Sequence, residues 1–338
     1  MKRFVISFCI SIGLAVPVAA QPLATLTNDA VNNHVIPAYD QLALTSGALA
    51  AAAVEDCDPA SDALRAAYHS AFDAWVAVSH LRFGPSEVDD RAFALAFWPD
   101  SRGVTPRVLM GLIADQDPIG QSAADYAEMS VAARGYYALE FMMFDEAISN
   151  SGDTGYRCQL VQTITADIAA TTAAINADWN AYAALLLTPT ADGVYRTDEE
   201  AAQELFKALS TGLEFLSDTR LGRPLGSFDR PRPKRAEVWR SGRSARHVQV
   251  ALSALHDLAG RLAGEDEQLS DRLDRAFGVA QDRLLELDDP IFAGVSDPTQ
   301  RFAIEILQQN VNAIRTIVRD ELGPKLGVAA GFNALDGD

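Results

Sequence analysis

The sequence predicts an all-α protein built as two helical bundles in series, and three observations predict it. Apolar residues recur at helical spacing in nearly every segment between punctuating glycines and prolines. No segment alternates with period two for long enough to argue a sheet. At 338 residues the chain exceeds what one hydrophobic core usually organises. The division we expect is a signal segment over residues 1–20, a first bundle over 21–190 and a second over 191–338.

Lys2 and Arg3 open the chain, Phe4 to Val18 is apolar, and Val18-Ala19-Ala20 offers small residues before Gln21. That pattern reads as a cleaved secretory signal, too short to span a bilayer comfortably. The expected product is exported and periplasmic. From Leu23 to Val54 the sequence is rich in Ala and Leu, with a kink or restart at Pro37. Ser61 or Asp62 caps the next helix, which carries Tyr68, Phe72, Trp75 and Val76 and stops at Gly84-Pro85. Asp89 to Trp98 is a short apolar segment closed by Pro99. The turn Asp100-Ser101-Arg102-Gly103 follows, and Thr105-Pro106 reads as a cap and first helical position.

Ser122 to Asp145 reads as a central helix, and Thr154 to Leu187 as a long one. Thr188-Pro189-Thr190-Ala191-Asp192-Gly193 breaks the pattern and sets the domain boundary. Acidic residues after Thr197 suit a helix N-terminus, and that helix runs to about Arg220. Helices are expected at about Ala236–Ala263, Asp266–Leu287 and Thr299–Leu322, the last opened by Asp297-Pro298 and stopped by Gly323-Pro324. Leu139-Glu140-Phe141 returns as Leu213-Glu214-Phe215, each with a glycine nearby, an echo that raises an internal duplication.

Composition excludes some partners. Twenty-eight Lys and Arg against 46 Asp and Glu give a net charge of −18, which repels nucleic acid and anionic lipid. The charge is uneven. From Arg220 to Arg246 there are nine Lys or Arg against two acids, Asp229 and Glu237. This stretch is either a solvated face, or it pairs with first-half carboxylates, or it holds an anion. Cys9 leaves with the signal, and in an exported chain the remaining Cys57 and Cys158 suggest a disulfide. Closing so long a loop stabilises by roughly 4–5 kcal/mol at most on the chain-entropy account.

The chemistry centres on Gly135 to Phe144, where Glu140 is the one charge in an apolar and aromatic run. A carboxylate buried there costs several kcal/mol unless it finds a metal, an arginine or a proton. Tyr137 lies three residues earlier and shares its helix face. Phenolate and carboxylate oxygens are hard ligands suited to ferric iron or another di- or trivalent cation, and an arginine partner for Glu140 is the competing reading. The five histidines are scattered, so the His-Glu-x-x-His and Glu-x-x-His metal patterns are missing. So are the Gly-x-Ser-x-Gly elbow and the phosphate-binding loop.

Several of these stretches, in order, resemble the imelysin-like family of exported bacterial helical proteins. They include Val35-Ile36-Pro37-Ala38-Tyr39, Leu81-Arg82-Phe83-Gly84-Pro85, Phe97 to Gly103 and Gly135 to Phe144. The second half adds Gly212-Leu213-Glu214-Phe215, Arg220 to Gly226 and the tail Gly331 to Asp338. The family motif is Gly-x-His-x-x-Glu; Gly135 and Glu140 match it, and Tyr137 stands where the histidine belongs. The resemblance implies two helical domains with a site at their junction, an association with iron uptake, and a peptidase label. Without the histidine, the motif supplies no imidazole to bind zinc or move a proton. We therefore expect a junction that binds a metal or small ligand in iron acquisition. A metallopeptidase, or a protein docking an outer-membrane iron-uptake partner through its basic stretch, are the alternatives. Expected wall residues are Glu140 and Tyr137 as metal ligands, with Arg82, Asp100, Arg102, Glu214, Arg240 and Ser241 around a ligand.

Overall fold

The computed structural model describes residues 21–328. The expected signal segment and the tail from Gly331 lie outside them. Helix α1 (Leu23–Ala30) passes through a wide π-helical turn, Val31–Val35, into α2 (Ile36–Glu55). The widened turn sits where Pro37 lacks an N–H and its ring would crowd the carbonyl one turn back. Ser61 caps α3 (Asp62–Val78) by accepting from the Leu64 amide at 3.5 Å. Short helices follow: α4 (Arg91–Leu95), α5 (Val104–Asp115) and α6 (Ala123–Tyr126). Then come α7 (Gly135–Phe144), α8 (Glu146–Ser149) and the 34-residue α9 (Thr154–Leu187), capped by Asp153.

Irregular chain over 188–197 leads to α10 (Asp198–Glu214), which continues through a second π turn, Phe215–Leu221, into α11 (Gly222–Leu225). Helices α12 (Ser244–Ala263), α13 (Glu267–Glu286) and α14 (Pro298–Ile317) follow, and α14 runs through a third π turn, Val318–Leu322, into α15 (Gly323–Lys325). Gly323-Pro324 therefore does not stop the helix, because Gly323 keeps right-handed φ −55° and ψ −55° and the widened turn accommodates the proline that lacks an N–H. Among the described residues there is no strand, only an isolated bridge between Ser227 and Arg230. Among the described residues no helix is long and apolar enough to cross a membrane.

Other expected elements also differ, each for a local reason. The helix read over Ser122–Asp145 is broken into α6, a 3₁₀ turn at Val131–Ala133 and α7. Gly135 has φ +75°, and a Cβ there would run into the carbonyls of Ala94 and Leu95. The helix can start only at that glycine. The helix read from Ala236 begins at Ser244 instead, because Val238 and Gly242 adopt φ +46° and +74° in a tight turn. Thr105 does not cap α5; the Asp100 carboxylate takes the Thr105 amide at 2.8 Å, and the Thr105 hydroxyl is buried without a partner.

Helices α2, α3 and α9 pack together with α7 laid against α9, while α10, α12, α13 and α14 form the second group. The groups meet where α3 packs on α12 and α1 packs on α10 and α12. Gly212 permits the approach, because a Cβ there would sit 2.7 Å from His80 and Leu255 side chains. One connected apolar core runs through both groups. The Cys57–Cys158 disulfide, with Cα atoms 5.2 Å apart, ties the end of α2 to the start of α9.

Candidate functional site

The site lies in the seam between the two groups and grows from α7. α7 is apolar on nearly all sides and packed into the seam, so Glu140 is only 3% exposed. What meets it is the tight turn before α12. The Ser241 amide and hydroxyl both donate to Glu140 Oε1, at 3.1 and 3.0 Å. Burial pushes the Glu140 carboxyl up to about 7, against the pull of the Ser241 donors and the Arg240 charge. Arg240 itself bonds Asp145 at 2.8 Å and lies 4.0 Å from the Phe141 ring centre. Of the three partners a buried acid can take, Glu140 takes a proton through part of the neutral range.

One helical turn back, Tyr137 donates its hydroxyl to Glu237, which arrives from the same turn before α12. Glu237 is also buried, yet it is heavily matched. Arg220 Nε lies 2.7 Å from its Oε2, and His247 Nδ1 makes an electrostatic contact at 3.2 Å without a directed hydrogen bond. Burial alone would raise this carboxyl; the Arg220 guanidinium and His247 outweigh it and hold the group far below the usual range. Arg220 is placed by the second π turn and also reaches Ser79 on the far side of the seam. Burial and the adjacent Glu237 charge push the Tyr137 phenol well above its ordinary pKa, so it stays a proton donor.

Tyr137 stacks on Trp98, with ring centres 6.1 Å apart, and the pair partitions two cavities. The larger, about 470 Å³, has aromatic walls including Trp75, Phe83 and Phe215 and a polar end at His80, Arg220 and Glu237. His80 is buried and bonds His34, which in turn bonds Asp257. The smaller cavity, about 210 Å³, is lined by Glu140, Asp100, Arg240 and neighbouring cations of the basic stretch.

The expected site residues are thus distributed as follows. Glu140, Tyr137, Arg240 and Ser241 meet in the seam. Asp100 lines the smaller cavity, with its oxygens engaged by the Arg102 and Thr105 amides. Arg82 and Glu214 line the larger one; Arg82 pairs with Glu87 at 2.7 Å, and Glu214 faces Arg315 at 3.5 Å. Arg102 is exposed and lines neither cavity. Three arginines of the basic stretch reach first-half acids: Arg240 pairs with Asp145, and Arg243 and Arg246 with Asp73.

A resident metal is a poor fit to these donors. No group of three or more His, Cys, Asp or Glu among the described residues is arranged to hold one. Tyr137 donates its hydroxyl to Glu237 and Glu140 Oε1 accepts from Ser241, which leaves too few oxygens for a coordination shell, and cations crowd the smaller cavity. The arrangement can bind, orient and protonate a small ligand.

Reading the sequence passed over Arg220, Glu237 and His247 as a set. The available signal was Glu237 itself, an acid surrounded by nine cations, since such an acid is selected by its partners rather than by its neighbours in sequence. Trp98 and Trp239, which face the cavities, gave no sign of it beyond their place in the Phe-Trp-Pro-Asp and basic stretches.

Fold and site together define a class: an all-helical protein of two packed helix groups with a polar, aromatic-walled seam. Residues 35–318 match the imelysin family, and the chain belongs to that family. It is 22% identical over 345 residues to iron-regulated protein A of Synechococcus elongatus, covering 94% of this chain and 91% of that protein. Among solved structures, an imelysin-like protein from Psychrobacter arcticum superposes with a TM-score of 0.78 at 21% identity, over 94% of this chain and all of that one. A candidate iron-regulated protein A precursor from Parabacteroides distasonis gives 0.73 at 13% identity, over 89% and 96% of the two chains.

Proposed function

We propose that the protein is a periplasmic binding protein whose seam cavities hold a small, iron-linked ligand, in service of iron acquisition. The observation that carries this reading is the pair of cavities on either side of the Trp98–Tyr137 partition, walled by both helix groups. Concave sites with aromatic walls and a few convergent polar groups are where small ligands bind. The iron link rests on relatives that bear the name iron-regulated protein A. The disulfide suits an oxidising compartment.

The test is recovery of the protein from the periplasm of an expressing cell, followed by native mass spectrometry and iron analysis. The purified, dialysed protein is then titrated with ferrous ion, ferric chelates and the free chelators, read by fluorescence of Trp98 and Trp239. The expected result is saturable binding of at least one form at defined stoichiometry, weakened by Trp98→Ala. A protein that carries no adduct and responds to none of these forms ends the reading.

A further inference from the structure

The smaller cavity carries an imbalance of charge that sets it apart from the rest of an acidic molecule. Arg223, Lys234, Arg235 and Arg240 line it, and among the described residues the acids there are Asp100 and Glu140. Asp100 is occupied with backbone amides. Of the four cations only Arg240 has a carboxylate within ion-pair distance among the described residues. Arg223 lies over Trp98 at 5.6 Å and Lys234 over Trp239 at 5.4 Å, so aromatic faces hold both side chains in place. Arg223 Nε is buried with no hydrogen-bond partner, and an orphaned donor of this kind destabilises the empty site. Burial and the neighbouring Arg235 pull the Arg223 pKa below its ordinary value, the mark of cations crowded without counter-charge.

We propose that this chamber is an oxyanion site, taking a small carboxylate- or phosphate-bearing anion, either free or as the chelating shell of a ferric ion. This rests on the junction-binding reading above and names the ligand class for it. Four cations repel a bare metal ion, whereas an anion supplies the counter-charge that Arg223 and the exposed Lys234 and Arg235 lack and the acceptor that the buried Arg223 Nε lacks. The volume, about 210 Å³, is below the roughly 300–1,000 Å³ of sites for drug-sized ligands, so the anion is small. Glu140 tunes the site. It faces Tyr137 on its own helix, Tyr68 on α3, and Arg240, Ser241 and Glu237 on the turn before α12. An ionised Glu140 opposes the anion and a protonated one does not, so binding strengthens as the pH falls through the neutral range.

The experiment titrates dialysed full-length protein with phosphate, citrate, ferric citrate and ferrous chloride at pH 7, by calorimetry and tryptophan fluorescence. Citrate, phosphate or ferric citrate should bind, and the double variant Arg223→Gln/Arg235→Gln should weaken that binding at least tenfold. Lys234→Gln, an exposed change that spares the fold, should weaken it severalfold, and Arg275→Gln on the outer face of α13 should not. Response to ferric citrate alone assigns the chelate; equal response to free citrate and phosphate assigns the simple anion. Sulfate, whose charge is constant there, should bind more weakly at pH 8 than at pH 6 in the native protein and equally at both in Glu140→Gln. Oxyanion binding that is indifferent to Arg223, Lys234 and Arg235 overturns the assignment. Ferrous ion binding without any oxyanion also overturns it, while leaving the junction-binding reading intact. Silence from every ligand removes both.

Discussion

Glu140 and Glu237 stand on the two sides of one seam, 3% and 2% exposed, and both meet the chain around Tyr137 and Ser241. Their titration nevertheless diverges. Glu140 receives two neutral donors from Ser241 and is pushed up to about 7, while Glu237 receives a guanidinium and an imidazole and is held far below the usual carboxylate range. Burial raises each of them, and the opposite outcome belongs to the partners. Dipoles from a serine offset part of the desolvation; a contacting arginine more than offsets it. One acid therefore acts as a fixed anchor that locks Arg220 and Tyr137, and the other remains adjustable near neutral pH.

The largest effect comes from breaking the anchor. Glu237→Ala leaves Arg220 buried beside the Tyr137 hydroxyl with no counter-charge, and should cost about 3–5 kcal/mol in chemical denaturation. Replacing both partners, with Arg220→Met and Glu237→Leu together, should recover most of that loss, since the cost lies in the stranded charge. A double variant as unstable as Glu237→Ala would show that the pair contributes through something other than its charge balance.

Glu140 should behave oppositely. Its folded pKa of about 7 lies above the ordinary 4.5, so the folded state holds its proton across that window while the unfolded state has lost it. The contribution to stability is therefore present at low pH and lost as the pH rises from about 4.5 to 7. Glu140→Gln keeps an oxygen for Ser241 and removes the titration. It should be more stable than the native protein by up to about 3 kcal/mol at pH 8 and no more stable at pH 4.5. Equal stability differences at both pH values would mean that Glu140 ionises normally. For Glu237 the sign reverses: its support is present above the ordinary carboxylate value of 4.5 and is lost progressively as the pH falls below it.

The contrast also explains what was legible beforehand. The helices were, because caps such as Ser61 and Asp297 are written in adjacent residues, although Gly323-Pro324, which reads as a stop, carries the helical backbone on. Glu140 stood out because its own helix is greasy. Glu237 did not, because its burial comes from α3, α7 and the second π turn, which are remote in sequence. The turn over 236–243 was read as helix since its residues satisfy the helical pattern, and only positive φ at Val238 and Gly242 turns the chain into the seam. The Leu-Glu-Phe echo did not predict equivalent surroundings: Glu140 is sealed, whereas the Glu214 side chain is 26% exposed and faces Arg315. Three matching residues fix a local pattern, and the elements packed over it fix the chemistry.

Smaller changes sharpen the comparison. Tyr137→Phe removes one hydrogen bond to an ionised Glu237 and leaves Arg220 in place, so it should cost about 1.5–3 kcal/mol. Ser241→Ala is the finest test, because it alters the partner of Glu140 without touching either carboxylate. The variant loses the hydroxyl donor and keeps the backbone amide, so the ionised form of Glu140 loses one of its two neutral supports. Its pKa should then rise above about 7, and the pH at which stability stops falling should rise with it. Carbon-13 NMR of the Glu140 carboxyl reads that midpoint directly, and Glu237 should stay ionised through the same titration. A midpoint that stays put would mean that the amide alone sets the Glu140 ionisation, and that side-chain chemistry on the turn matters only at Glu237.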